Sequence, residues 1–340
     1  MTYPFRTGSY MLTPVAKTGE RFADFMPYVA SLNNEGIVAF QAAVHGGGSG
    51  VYTGSGGAIS TLFERISSPL GTPCSHPDIN EDGAACFYAC GESGGRVVLI
   101  HGDQTTVLAE NAGPLGPTMN GSGAVAFRAG SGAGQTGIFK GSCGLVTTIA
   151  ETGAVLTSLH GLPVINNRGA VVFRADLKAG GQGIYVGEGG PLTPVAETGE
   201  FFSGLGQFPT MNDAGTVAFC ASLQGGGSGV FSASAGEIAT IIDTSSAFES
   251  FRGVLLDHAG NVIFYATPRG GELGVFTGPD PRRDCLLQLG TSLFGSTIVD
   301  FALNPVSIND LGHVAIRVKL ADEVQFVLRG DPDVRGETAG

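Results

Sequence analysis

The chain has 340 residues, room for one large or two ordinary domains, and a formal net charge of −12 at pH 7. With 42% hydrophobic and 14% charged residues it is too apolar for disorder, and no Lys/Arg cluster supplies the basic stripe that nucleic acid or an anionic membrane needs. No apolar leader or 18-residue apolar run is visible, so a cytoplasmic protein without a membrane span is expected.

Glycine contributes 56 residues without a Gly-x-y period, as in short strands joined by tight turns. Six cysteines, at 74, 86, 90, 143, 220 and 285, include no Cys-x-x-Cys pair. Cys86 and Cys90 share a strand face but stand too far apart to bridge, so scattered core thiols are expected rather than disulfides.

The chain opens on MLTPVAKTG, a fragment whose relatives recur later as T-x-V-A-E-T-G. A unit then repeats: P-x-(I/M)-N-x-x-G-x-V-A-F-x-A, a Gly-rich loop, G-(I/V)-(Y/F), and T-x-V-A-E-T-G. Its turns start at Asn33, Asn80, Asn120, Asn166, Asn212, Asp257 and Asn309, at spacings of 47, 40, 46, 46, 45 and 52 residues. These are copies one to seven. Period-2 alternation with β-branched and aromatic residues predicts four strands per copy, A to D, and nothing helical. The expected fold is all-β: a single seven-bladed β-propeller of four-stranded blades over residues 1–330, with a tail at 331–340. The last copy ends after VQFVLRG, so the N-terminal strand is expected to complete its blade; YPFRTG also resembles a C strand, which leaves a two-plus-two closure open. In the N-x-x-G turn, Asn accepts from nearby backbone and Gly takes positive φ.

The run Asn212-Asp213-Ala214-Gly215-Thr216-Val217-Ala218-Phe219 and its relatives resemble the bacterial tandem-repeat proteins with an N-x-x-G-x-x-A-F signature. The resemblance spans nearly the whole chain. It implies a propeller and little about activity; it also implies export and a surface anchor, neither of which this sequence shows.

In a propeller the D–A and B–C connections share one face. Here the D–A loops are long and unlike one another, whereas the A–B turns are uniform, so a site is expected at the channel mouth on the D–A face. Polar residues that break the repeat point to the candidates there: His76, His160, Asp24 and Arg252 for acid–base chemistry and anion holding, and His45, Arg65, Cys74, Glu249, Asp300 and Asn304, with the ordinary loop residue Phe208, for substrate binding. The Cys74–His76 pair could serve as a nucleophile with its base. The recurrent Glu110, Glu151 and Glu197 are expected to bind loop amides. His and Cys spacings match no metal-ligand motif, and no cofactor is implied. Copy two deviates most, with CSHPD and ACFYAC. Two functions stand open: a small-molecule enzyme of lyase, cyclase or alkyl-transfer type, as in a biosynthetic step, or a non-catalytic glycan-, peptide- or protein-binding module.

Overall fold

The computed structural model describes residues 5–7, 10–25, 29–65, 70–92, 94–132, 134–142 and 144–333, with residue 65 through its backbone alone. Each copy folds as an antiparallel A-B-C-D meander. In copy four these strands are Leu156–Ile165, Val171–Leu177, Gln182–Gly187 and Thr193–Glu197, paired in that order. The described strands form six sheets, and no helix occurs among the described residues. The largest sheet, of nine strands, holds the meanders of copies two and three, joined by the single pair Ala112–Ala129. The architecture is an all-β propeller.

The closing sheet takes Ser296–Ala302, Val314–Leu320 and Gln325–Pro332 from copy seven and Tyr10–Lys17 as its next strand. Phe5–Thr7 adds outside Tyr10–Lys17, so the C position belongs to Gln325–Pro332 and the closure is three-plus-one. That strand runs past the expected boundary at 330, because Asp331 and Pro332 pair with Met11 and Tyr10. Residues 334–340 lie outside the described residues.

The core lies between sheets and follows from the A-F motif. Phe40, Phe87, Phe127, Phe173, Phe219 and Phe264 are at most 1% exposed. In five copies this ring stands directly opposite the C-strand aromatic: Phe40–Tyr52, Phe127–Phe139, Phe173–Tyr185, Phe219–Phe231 and Phe264–Phe276, with centroids 5.8 to 6.2 Å apart. Such cross-strand pairs add about 0.5–1.5 kcal/mol each beyond the area they bury. Copy two substitutes Phe87–Val98, which accounts for its unusual C strand.

The N-x-x-G turns do more than their sequence suggests. Each Asn Oδ1, like Asp257 Oδ1, accepts the N–H four residues on, at 2.8 to 3.1 Å. The glycines take φ between 74° and 93°, a region that other residues enter only under strain. The Nδ2 of each Asn donates onward to a turn carbonyl of the next copy: Asn33 to Asn80, Asn80 to Gly121, Asn120 to Asn166, Asn166 to Asn212, and Asn212 to His258. Asn309 donates to the Asn33 carbonyl and carries the girdle past the chain ends. Asp257 has no such donor, and its carboxylate binds Asn261 instead.

A second tier comes from the variable residue of A-F-x-A. Gln41 donates to the Pro73 carbonyl and Arg128 to the Leu159 carbonyl. The Tyr88 hydroxyl accepts from the Arg128 N–H at 2.9 Å, and the Tyr265 hydroxyl donates to the Leu303 carbonyl at 2.9 Å.

The assignments expected for Glu110, Glu197 and the cysteines need correction. Glu197 accepts from the Tyr185 hydroxyl at 2.7 Å and Glu110 from the Arg96 guanidinium at 2.9 Å, both side-chain pairs across strands C and D. The adjacent threonines meet the amides: Thr152 Oγ1 accepts from Thr136 and Thr198 Oγ1 from Gln182. Cys74 and Cys90 form a disulfide across 16 residues, because Thr72–Pro73 pairs with Ala89–Cys90 and brings the D–A loop alongside the end of the B strand. Cys86, Cys220 and Cys285 are free, and Cys143 lies outside the described residues.

Replacing Asn166 by Ala removes a turn acceptor and an inter-copy donor, both buried, and should cost about 2–4 kcal/mol in urea unfolding. Asp257→Ala, which loses no bond to the next copy, should cost less. Reducing the Cys74–Cys90 bridge should lower stability by about 3 kcal/mol, the chain-entropy value for a loop of this size, measured by denaturation with and without reductant.

Candidate functional site

The A strands on the D–A face are not continuous. In copy four the pairing with strand B shifts between His160 and Val164, and in copy six between Phe251 and Gly253. Such a bulge releases a residue from the ladder and re-aims it. In copy six the released residue is Arg252. It is exposed and has no hydrogen-bond or ion-pair partner among the described residues.

A cavity of about 290 Å³ opens beside it, between the A strands of copies six and seven. Arg252, Phe208 and Asn304, predicted from three successive loops, all line it. The rest of the wall is mostly apolar: Val254, Leu255, Leu273, Phe301 and Leu303. The Tyr265 ring stacks on Phe301 at 5.7 Å and 20°, with its hydroxyl committed to the Leu303 backbone. Asn304 Oδ1 accepts the Val306 N–H at 2.9 Å, while its Nδ2 has no partner among the described residues.

The remaining predicted residues lie elsewhere. His76 is 4% exposed, and its Nε2 lies 3.0 Å from the Pro117 carbonyl of copy three. Its ring takes the space a side chain on Gly116 would fill, so the odd histidine and the odd glycine form one packing pair. Burial pushes the His76 imidazole down to about 4, only partly offset by its bonds to the Pro117 and Leu115 carbonyls. Nearby Asp78, also buried, accepts the N–H groups of Met119 and Ile79; burial raises its carboxyl to about 7 in spite of them. The bridge to Cys90 removes Cys74 from consideration as a nucleophile.

His160 is half-buried and bonds Asp176 Oδ2 at 2.7 Å, while Arg174 holds the other carboxylate oxygen at 2.9 Å. Asp24 accepts from Gln325, and Asp300 pairs with Arg317 rather than with a histidine. His45 and Glu249 are exposed, and the Arg65 side chain lies outside the described residues. None of the four cavities described joins His76, His160 and Arg252. Sequence reasoning missed Asp176, Arg174 and Tyr265. Arg174 and Tyr265 stand at the variable position of A-F-x-A, a repeat-breaking signal inside a strand rather than in a loop.

A second cavity of about 170 Å³ sits on the opposite face, lined by turn residues from every copy, among them Asn34, Glu81, Asn167, Asp213, His258 and Asp310. Three of its carboxylates are engaged between copies: Glu81 accepts the Asn34 N–H and Asp213 the Asn167 N–H, while Asp310 accepts from Asn34 Nδ2. Among the described residues no group of three His, Cys, Asp or Glu could hold a metal ion, and no helix is long and apolar enough to cross a membrane.

A protein-family profile described as a family of unknown function (DUF7453) matches residues 32–325. No curated protein matches the chain. Among solved structures it is similar to the β-propeller domain of the Trilobed protease from Pyrococcus furiosus, at 13% identity and a TM-score of 0.58, covering 91% of this chain and 94% of that one. An oligogalacturonate lyase in complex with manganese aligns at 12% identity and a TM-score of 0.57, covering 96% and 98%. The oligogalacturonate lyase from Vibrio parahaemolyticus aligns at 11% and 0.56, covering 94% and 97%. Likenesses at these identities establish the shared fold.

His76 and Asp78 set opposing pH dependences. A histidine whose folded pKa lies at about 4 destabilises the fold as pH falls from 6.5 to 4. An aspartate raised to about 7 from 3.8 stabilises it as pH falls through that window. Compared with the parent, His76→Gln should gain stability between pH 7 and pH 4.5, and Asp78→Asn should lose it. At 1.36 kcal/mol per unit each change is about 3 kcal/mol at most; urea unfolding at the two pH values reads it.

Proposed function

Since the chain belongs to the DUF7453 family, whose function is unknown, we propose a function from its own geometry: a seven-bladed propeller that binds a small, largely apolar molecule in the cleft at Arg252. Seven blades follow if the two meanders of the nine-stranded sheet count separately, as their single joining pair supports. The observation that carries the binding site is the convergence of Phe208, Arg252 and Asn304, from three successive copies, on one apolar cavity at the D–A face. Rigid walls with few polar groups are the usual make-up of a small-molecule site.

Binding is favoured over acid–base catalysis. His76 is walled in, and the His160–Asp176 pair opens on none of the cavities described, so no proton-transfer group stands beside the cleft. The fold is shared with an oligogalacturonate lyase, but a hydroxyl-rich sugar needs many hydrogen-bonding partners and this wall offers few. An apolar ligand suits it better than a glycan.

Ala302 lines the cleft, and Phe at that position would fill much of the space. Ala302→Phe should abolish binding of a small, largely apolar fluorescent probe such as 2-naphthol without lowering the melting temperature. Unchanged probe binding would remove the cleft from consideration.

A further inference from the structure

The polar groups at the cleft mouth are of one kind. Arg252 presents a guanidinium with no partner, in a chain where acidic residues outnumber basic ones 30 to 18. Asn304 presents Nδ2, because its Oδ1 already serves Val306. Tyr265 has nothing to offer, since its hydroxyl both donates to and accepts from the Leu303 backbone. The side chains at the mouth therefore supply donors and no uncommitted acceptor, while the wall behind it is apolar. A ligand that leaves nothing unsatisfied carries an acceptor group at one end and hydrocarbon at the other.

We infer that the cleft takes an apolar monocarboxylate, its carboxylate held by the Arg252 guanidinium and Asn304 Nδ2 and its chain lying along Val254, Leu255, Phe301 and Leu303. This rests on the reading of the cleft as a small-molecule site. The planar fork of arginine matches a carboxylate in two parallel hydrogen bonds. A single charge fits better than two, because the mouth has one cation and the protein carries −12 overall. The size fits as well: a cleft of about 290 Å³ lies at the lower end of small-molecule pockets, as a medium-chain carboxylate requires.

The test compares octanoate with octanamide, equal in size and unequal in charge, by titration calorimetry at low salt. Octanoate should bind at least about tenfold tighter, the value of a charge-assisted hydrogen bond. Arg252→Gln should bring octanoate down to the octanamide level and leave octanamide unchanged. Asn304→Asp keeps the acceptor for Val306 but sets a negative charge at the mouth; it should abolish octanoate binding and spare octanamide. Equal affinity of the two ligands for the parent protein overturns the carboxylate assignment and leaves the cleft standing. If neither binds at millimolar concentration, the cleft itself is not a small-molecule site and this assignment falls with it.

Discussion

The side-chain amide of the N-x-x-G turn has two chemically different ends, and the molecule uses both. The oxygen closes the turn on its own strand pair, and the nitrogen reaches the backbone of the next copy. A hydroxyl has neither the length nor the second polar atom for this, and a carboxylate has no donor, as Asp257 illustrates. One face of the propeller is thereby fixed by a chain of buried amide bonds that six of the seven turns keep. The opposite face has no such obligation, so its loops are free to differ, and the cleft at Arg252 lies there.

Much of this was legible in the sequence, because strand pattern, turn chemistry and period all repeat. Phe127 and Phe139 read as B- and C-strand residues from alternation alone, and Gly123 read as a positive-φ position from its place after Asn120. The onward reach of the Asn amide was not legible, since nothing local shows where a side chain meets a different copy. The same limit applied to Cys74 and Cys90: spacing along the chain says nothing of two strands laid side by side. At the site, Arg252 and Asn304 were found as departures from the repeat, and Phe208 as an ordinary residue of the same position. His76 departed equally and proved to be packing, because its counterpart is a missing side chain at Gly116. A departure from a repeat marks either a ligand contact or a mutual accommodation with the neighbouring copy, and only the neighbour distinguishes them.

Copy two collects such accommodations. Its disulfide fastens the D–A loop, its histidine fills the gap over Gly116, and Asp78 accepts two backbone N–H groups where the Thr118 and Ser307 hydroxyls donate to the Pro163 and Ala30 carbonyls. These features stiffen one sector with a bridge and a buried titratable pair, and none of them faces the cleft. The most divergent copy is thus a structural specialisation, while the cleft is built by copies five to seven.

The three-plus-one closure bears on how the protein comes to be made. Thr18 Oγ1 meets the Gln325 N–H across 307 residues, and the Asp24 carboxylate meets the Gln325 amide across 301. During synthesis the strand Tyr10–Lys17 emerges early and waits for its partner until Gln325–Pro332 leaves the ribosome. For that interval both edges of the growing arc stay unpaired, open to the wrong neighbour. Pairing so remote in sequence is also slow to form. The seam that joins these strands therefore forms only after the whole arc between them has been made, and it is the point where assembly of the arc is most exposed to error.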